Sequence, residues 1–126
     1  MGQTTEQNAE VLDEALALRS VGGDREFLAE VVGIVRAAWP TLLTDIREGI
    51  ARGDLCAVEA TARLAKAAAR NVSARRAYDS ALQLEKMAGK GDLQATQGAR
   101  VSLEREVEKL QLVLSTLGIS NCSLRP

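Results

Sequence analysis

Apolar residues recur every three or four positions in several stretches of this 126-residue sequence. Such spacing places them on one side of an α-helix, which must bury that side against other elements. The longest series comprises Leu28, Val31, Val35, Trp39, Leu42, Ile46 and Ile50. Pro40 falls inside it, where we expect a kink rather than an end. Only 2% of the residues are aromatic, which favours helices packed on helices over a β-sandwich.

Glycines followed by an aspartate separate the predicted helices. Glycine readily ends a helix, and an aspartate after it can cap the next one. Three such breaks occur, at Gly22-Gly23-Asp24, at Gly53-Asp54 and in the GKGD run at 89–92. Before the first break we predict a short helix from Ala9 to about Ser20. Its inward residues are expected to be Leu12, Ala15 and Leu16.

The last predicted helix ends at Gly118 and carries a seam with alternating spacings of four and three residues. That seam consists of Leu103, Val107, Leu110, Leu114 and Leu117. Because the connections are short, consecutive helices must be antiparallel. The sequence therefore predicts an all-α fold, an up-down antiparallel four-helix bundle with a short extra N-terminal helix. We expect a disordered leader at residues 1–8, the bundle at 9–117 and a loose C-terminal tail at 118–126.

A helix predicted from Leu55 to about Asn71 is unusually rich in small residues. Its inner positions are expected to be Leu55, Val58, Ala62, Ala65 and Ala69. Arg63, Lys66 and Arg70 follow one another at spacings of three and four, which forms a basic stripe along one side. Glu59 precedes Arg63 by four residues and is its natural ion-pair partner within the helix.

Several kinds of chemistry have no residues to support them. The chain contains no histidine, and its cysteines, Cys56 and Cys122, are far apart. We therefore expect no metal site, no cofactor and no enzyme activity, with Cys56 as a buried thiol. A net charge of −1 and the lack of a recognised motif argue against a nucleic-acid partner. No run of 18 apolar residues exists, which predicts a cytoplasmic protein without membrane insertion.

The order of these signals resembles the histidine phosphotransfer (HPt) domain of bacterial two-component phosphorelays. The family's motif reads Ala-His-x-Leu-Lys-Gly, followed after a few small residues by Asn, an apolar residue, Gly and Ala. The segment 71–74, Asn-Val-Ser-Ala, is similar to the closing part. Counting back places Ala62 on the motif alanine, Lys66 on the lysine and Arg63 on the phosphorylated histidine. The similarity covers about Ala9 to Leu117 and implies an HPt-like bundle.

The departures from the family pattern concern the chemistry itself. A guanidinium stays protonated at physiological pH and has no lone pair to offer, so Arg63 cannot take up a phosphoryl group. The motif glycine is Ala67 and the motif leucine is Ala65. The resemblance therefore implies a pseudo-HPt domain that cannot carry phosphate.

The resemblance still implies docking to the receiver domain of a response regulator or hybrid sensor kinase, whose active site is an acidic pocket. Arginine pairs well with carboxylates. We expect a monomer with a partner-binding face of Glu59, Ala60, Arg63, Lys66, Ala67 and Arg70. Two alternatives remain open. The basic stripe could be a solvated helix face without a partner, or the chain could be a non-phosphorelay helical adaptor or dimerisation module that pairs through the Leu103–Leu117 seam.

Overall fold

The computed structural model describes the backbone of residues 12–123 and the side chains of residues 12–115. Five helices, α1 to α5, make up nearly all of this part and pack against one another, and no strand occurs within it. They span Glu14–Ser20, Arg25–Arg52, Leu55–Asn71, Arg75–Gly89 and Leu93–Ser123. The predicted all-α fold is confirmed. The predicted leader at 1–8 and the predicted helix start at Ala9 lie outside the described residues.

Aspartate side chains cap four of the five helices. Asp24 accepts a hydrogen bond from the Phe27 N–H at the start of α2, and Asp54 accepts one from the Ala57 N–H at the start of α3. Asp13 and Asp92 cap α1 and α5 in the same way. Each such cap contributes about 1 kcal/mol. The predicted breaks are therefore confirmed, whereas α4 begins after Ala74 without a side-chain cap.

The long helices pack in a closed set of neighbours. Helix α2 packs against α3 and α5, and α4 packs against the same two helices, while α1 packs against α2. Between them lies one apolar core. In the predicted series on α2 every member is buried except Val31, which is half-buried, and Val32 takes the inward position beside it. Pro40 lies within α2 without ending it.

Three details of the prediction are wrong. Leu16 is 45% exposed because Ala17 occupies the inward position of α1, and Ala15 is exposed as well. Cys56 is exposed, not buried, since it lies on the side of α3 opposite the buried row. Helix α5 continues past Gly118 to Ser123, so the predicted helix end is wrong, while the looseness of the tail stays a prediction. A glycine inside a helix costs only about 1 kcal/mol, too little to end it without a cap.

Helix α2 is the one helix among the described residues that is long and apolar enough to cross a membrane, judged by length and composition. A core helix can meet the same criteria, and α2 contributes buried residues along its whole length, from Leu28 to Ile50. The expectation of a cytoplasmic chain without membrane insertion stays a prediction.

A close contact between α2 and α3 yields a stability prediction. A Cβ added at the buried Gly49 of α2 would lie 2.8 Å from Val58 Cγ2 on α3, whereas one added at Gly33 would meet nothing within 4 Å. We expect Gly49→Ala to lower the free energy of unfolding by about 1–3 kcal/mol through overpacking. Gly33→Ala is the matched control and should raise it by about 0.5–1 kcal/mol. Urea unfolding of both variants measures this, and a neutral Gly49→Ala would show that the contact is loose.

Candidate partner-binding site

All six predicted partner-binding residues lie on α3, whose buried side is made of small residues. Val58, Ala62, Ala65 and Ala69 are each completely buried, as predicted. Leu55 is only partly buried and packs at the edge of the core. Because alanines project little from the helix, the neighbouring helices lie close to α3. The side chains at its edges therefore come within reach of residues on α4.

The predicted face divides into an outer row and an edge. Ala60, Arg63, Ala67 and Arg70 are exposed, and the Arg63 side chain keeps 62% of its surface accessible. Lys66 lies at the edge that faces α4, where its side chain is only 22% exposed. Glu59 lies at the same edge and is partly buried. The structure thus brings these residues together on one side of α3 but gives them unequal access to a partner.

Glu85 on α4 holds two of the cations. Arg63 Nε donates a hydrogen bond of 2.7 Å to Glu85 Oε2, and Lys66 Nζ lies 2.6 Å from Glu85 Oε1. The predicted partner of Arg63 within the helix, Glu59, is farther away, with 3.7 Å between Arg63 Nη2 and its Oε2. One carboxylate therefore bridges both cations between the two helices.

These pairings shift the proton equilibria of both partners. Hydrogen bonds from Lys66 and then Arg63 hold the pKa of Glu85 below its ordinary value. The hydrogen bond to Glu85, followed by the charge of Glu59, raises the pKa of Arg63 further above its already high value. Both groups are therefore charged throughout the physiological pH range. Arg63 has no role in proton transfer.

Arg70, the third cation of the predicted stripe, has a different environment. Its guanidinium carbon lies 5.4 Å from the centre of the Tyr78 ring, and its Nη2 donates a hydrogen bond of 3.2 Å to the Tyr78 hydroxyl. A cation over an aromatic face is favourable by about 0.5–1 kcal/mol at an exposed site. Arg70 is thus positioned by α4, as Arg63 is, but through a neutral partner.

Sequence reasoning missed two residues of this site. Glu85 was not predicted. It directly follows the buried Leu84 and is the acid nearest the buried side of α4. This position is the signal that could have identified it. Leu64 was missed because it follows Arg63 on the outer side of α3 and belongs to no buried row. It is 61% exposed, so the outer face of α3 offers apolar as well as cationic contact.

Comparison with known proteins identifies no relative. No family model matches the sequence, and neither the curated proteins nor the solved structures yield a match. Within residues 12–115, no cluster of three or more His, Cys, Asp or Glu side chains could hold a metal ion. The functional assignment therefore depends on the geometry of α3 and its neighbours.

The bridge predicts a pH-dependent contribution to stability. A carboxylate whose pKa is lowered on folding stabilises the fold above its unfolded-state pKa, and this contribution disappears as the pH falls through the folded-state value. We expect Glu85→Gln to lower the free energy of unfolding at pH 7 by less than about 1 kcal/mol, because the bridge lies near the surface. The difference from wild type should vanish in acid and shrink in high salt.

Urea unfolding between neutral and acidic pH measures this difference. Glu108→Gln is the matched control, since Glu108 is exposed on α5 and should show no such dependence. A difference for Glu85→Gln that stayed constant in acid would contradict the bridge as the source of the effect.

Proposed function

We propose that this chain is a pseudo-HPt domain, a four-helix bundle with a short N-terminal helix that docks receiver domains without accepting a phosphoryl group. The partner is the receiver of a response regulator or of a hybrid sensor kinase. The observation that carries the proposal is the position of Arg63, which is prominently exposed on α3 between the small, exposed residues Ala60 and Ala67.

The packing of the helices supports the architecture of this proposal. Helices α2 to α5 each pack against two others in a closed set. Their connections are short: residues 53–54, 72–74 and 90–92. Short connections favour antiparallel neighbours. The small helix α1 packs beside this arrangement, as the extra N-terminal helix of the proposal requires.

The surface around Arg63 suits an acidic pocket on a partner. Ala60 and Ala67 lie within one helical turn on either side of Arg63 and add little bulk, so another protein can approach the helix closely. A guanidinium carries five N–H groups in a rigid fork. The Nε–H group is engaged by Glu85 at 2.7 Å, and the long contact with Glu59 leaves the outer edge accessible. Arg63 can therefore keep its internal bond while it binds a carboxylate.

With Arg63 in place of a histidine, the domain has no residue at this position that can accept a phosphoryl group. Accepting a phosphoryl group requires a nucleophile with a free lone pair, and a guanidinium paired with two carboxylates has none to offer. The chain has no histidine elsewhere. The domain would thus occupy a receiver without relaying phosphate, and would compete with proteins that do.

The alternative is a non-phosphorelay adaptor or dimerisation module. The seam that would pair two chains in this alternative packs within the chain, because Leu103, Leu110 and Leu114 are fully buried and Val107 is 2% exposed. The side chain of Leu117 lies outside the described residues. A dimer would therefore need another surface, and sedimentation of the purified chain separates it from the proposed monomer.

Binding to receivers provides the first test of the proposal. We expect calorimetry against purified receiver domains of the same organism to detect at least one complex of micromolar Kd. Arg63→Glu should weaken this complex at least about tenfold, because it opposes the acidic pocket with a like charge. Arg63→Gln should weaken it less, and Arg52→Glu, at the far end of α2, should leave it unchanged. Failure of every receiver to bind would refute the proposed function.

Restoring the acceptor provides a second, gain-of-function test. A receiver carrying labelled aspartyl phosphate is mixed with wild type or with Arg63→His combined with Ala67→Gly, which removes the added methyl group from the site. We expect no label on wild type and acid-labile label on the variant, since a neutral imidazole can attack a phosphoryl group. An unlabelled variant that still binds the receiver would show that the surface docks in a different orientation from that of an HPt domain.

A further inference from the structure

The cations at the surface of this protein differ in whether a carboxylate forms an ion pair with them. Arg63 and Lys66 share Glu85, and Arg47 is paired with Glu104. Arg70 is bound to the neutral Tyr78. Arg75 is exposed in the first turn of α4, and within the described residues no carboxylate forms an ion pair with either Arg70 or Arg75. The end of α3 and the start of α4 therefore carry two arginines that no described carboxylate compensates.

Two surface cavities meet at Arg70. One has a volume of about 530 Å³ and is lined by Leu16, Arg75 and Tyr78 among others, and the second has a volume of about 480 Å³ and is lined by Phe27, Val31 and Ile34 among others. Arg70 lines both. The two cavities involve residues of α1, α2, α3 and the start of α4, and we name them together the Arg70 groove.

Apolar side chains of the Arg70 groove remain accessible to solvent. Leu16 is 45% exposed, Phe27 50% and Ile34 70%. All three line open cavities and do not belong to the buried core. Large apolar side chains grouped around a depression are typical of interaction sites, whereas scattered ones need no explanation.

We propose that the Arg70 groove binds an acidic amphipathic helix of a partner protein. The apolar side of such a helix would fill the cavities against Leu16, Phe27 and Ile34, as amphipathic helices do in grooves between packed helices. Its carboxylates would pair with Arg70 and Arg75, which form no ion pair with a carboxylate of the described residues. Asp13 is the one acidic residue among the described residues that line either cavity, beside Arg70 and Arg75, so the charge of this lining favours an anionic occupant.

The shape of the surface favours a protein helix over an anionic membrane. A bilayer presents a broad surface that suits protruding apolar residues, whereas these residues surround concave cavities of several hundred Å³. The groove is a separate surface from the Arg63 face, although Arg70 borders both. Its occupancy does not depend on receiver docking.

The test uses two labelled model peptides of about four helical turns each. Both carry leucines at helical spacing, with glutamate at all other positions in one and lysine in the other. Fluorescence anisotropy with the full chain should show binding of the acidic peptide, and binding of the basic peptide at least about tenfold weaker. Vesicles of phosphatidylglycerol and of phosphatidylcholine are titrated in parallel.

Variants then locate the binding site of the peptide. Arg75→Glu should weaken the acidic peptide at least about tenfold while it leaves folding intact, because an acidic residue in the first turn of a helix is stabilising. Ile34→Gln should weaken it as well, since a polar amide replaces the apolar contact. Leu112→Gln, at a residue of α5 that is 69% exposed, is the matched control and should have no effect.

The remaining outcomes decide against the groove as a peptide site. Absence of acidic-peptide binding, equal binding of both peptides, or insensitivity to Arg75→Glu and Ile34→Gln would overturn the proposal. Vesicle binding that requires Arg75, without peptide binding, would assign the surface to anionic lipid instead. Receiver binding is measured on the same Arg75→Glu variant and should persist, so that failure of this proposal and failure of receiver docking can be told apart.

Discussion

The close approach of α3 to its neighbours is the constraint on which the rest of the structure depends. Alanines provide most of its buried side. The buried side of α4 likewise includes Ala77, Ala81 and Ala88. Two helices that meet through such small side chains lie close together. Because they do, the carboxylate of Glu85 on α4 reaches Arg63 and Lys66 on α3. The geometry of the candidate site is thus a consequence of core packing.

This packing also changes how the basic stripe should be understood. The stripe is not a row of free cations, because Glu85 and Glu59 supply negative charge beside Arg63 and Lys66. A partner at Arg63 would meet a fixed guanidinium edge with flat alanine surface around it, so shape and directed hydrogen bonds would matter more than net attraction. Long-range attraction of an acidic partner would come instead from Arg70 and Arg75. No carboxylate among the residues that the structure describes forms an ion pair with either of them. The two ends of the stripe are therefore suited to different tasks.

The sequence predicted the fold better than it predicted the site. Apolar periodicity and Gly-Asp breaks identify the helices, since burial and capping are local properties, and nearly every predicted inward residue on α2 and α3 is buried. The pairing of Arg63 with Glu85 joins residues 22 positions apart in the sequence, and periodicity does not state which edge of one helix meets which edge of another. The error at Leu16 has a similar origin, because one residue of rotation decides between burial and exposure in a short helix. The burial expected for Cys56 had no support from the periodicity of α3. The predicted helix end at Gly118 is wrong because a single glycine costs a helix only about 1 kcal/mol.

The most direct measurement of the central claim, that the Arg63 face docks receiver domains, is amide chemical-shift mapping of the isotopically labelled chain titrated with each unlabelled receiver. We expect one receiver to shift amides clustered at residues 59–67 of α3 and around Glu85 on α4, with little change on the outer side of α5. Shifts absent for every receiver, or confined to residues away from Arg63, would contradict receiver docking at this face.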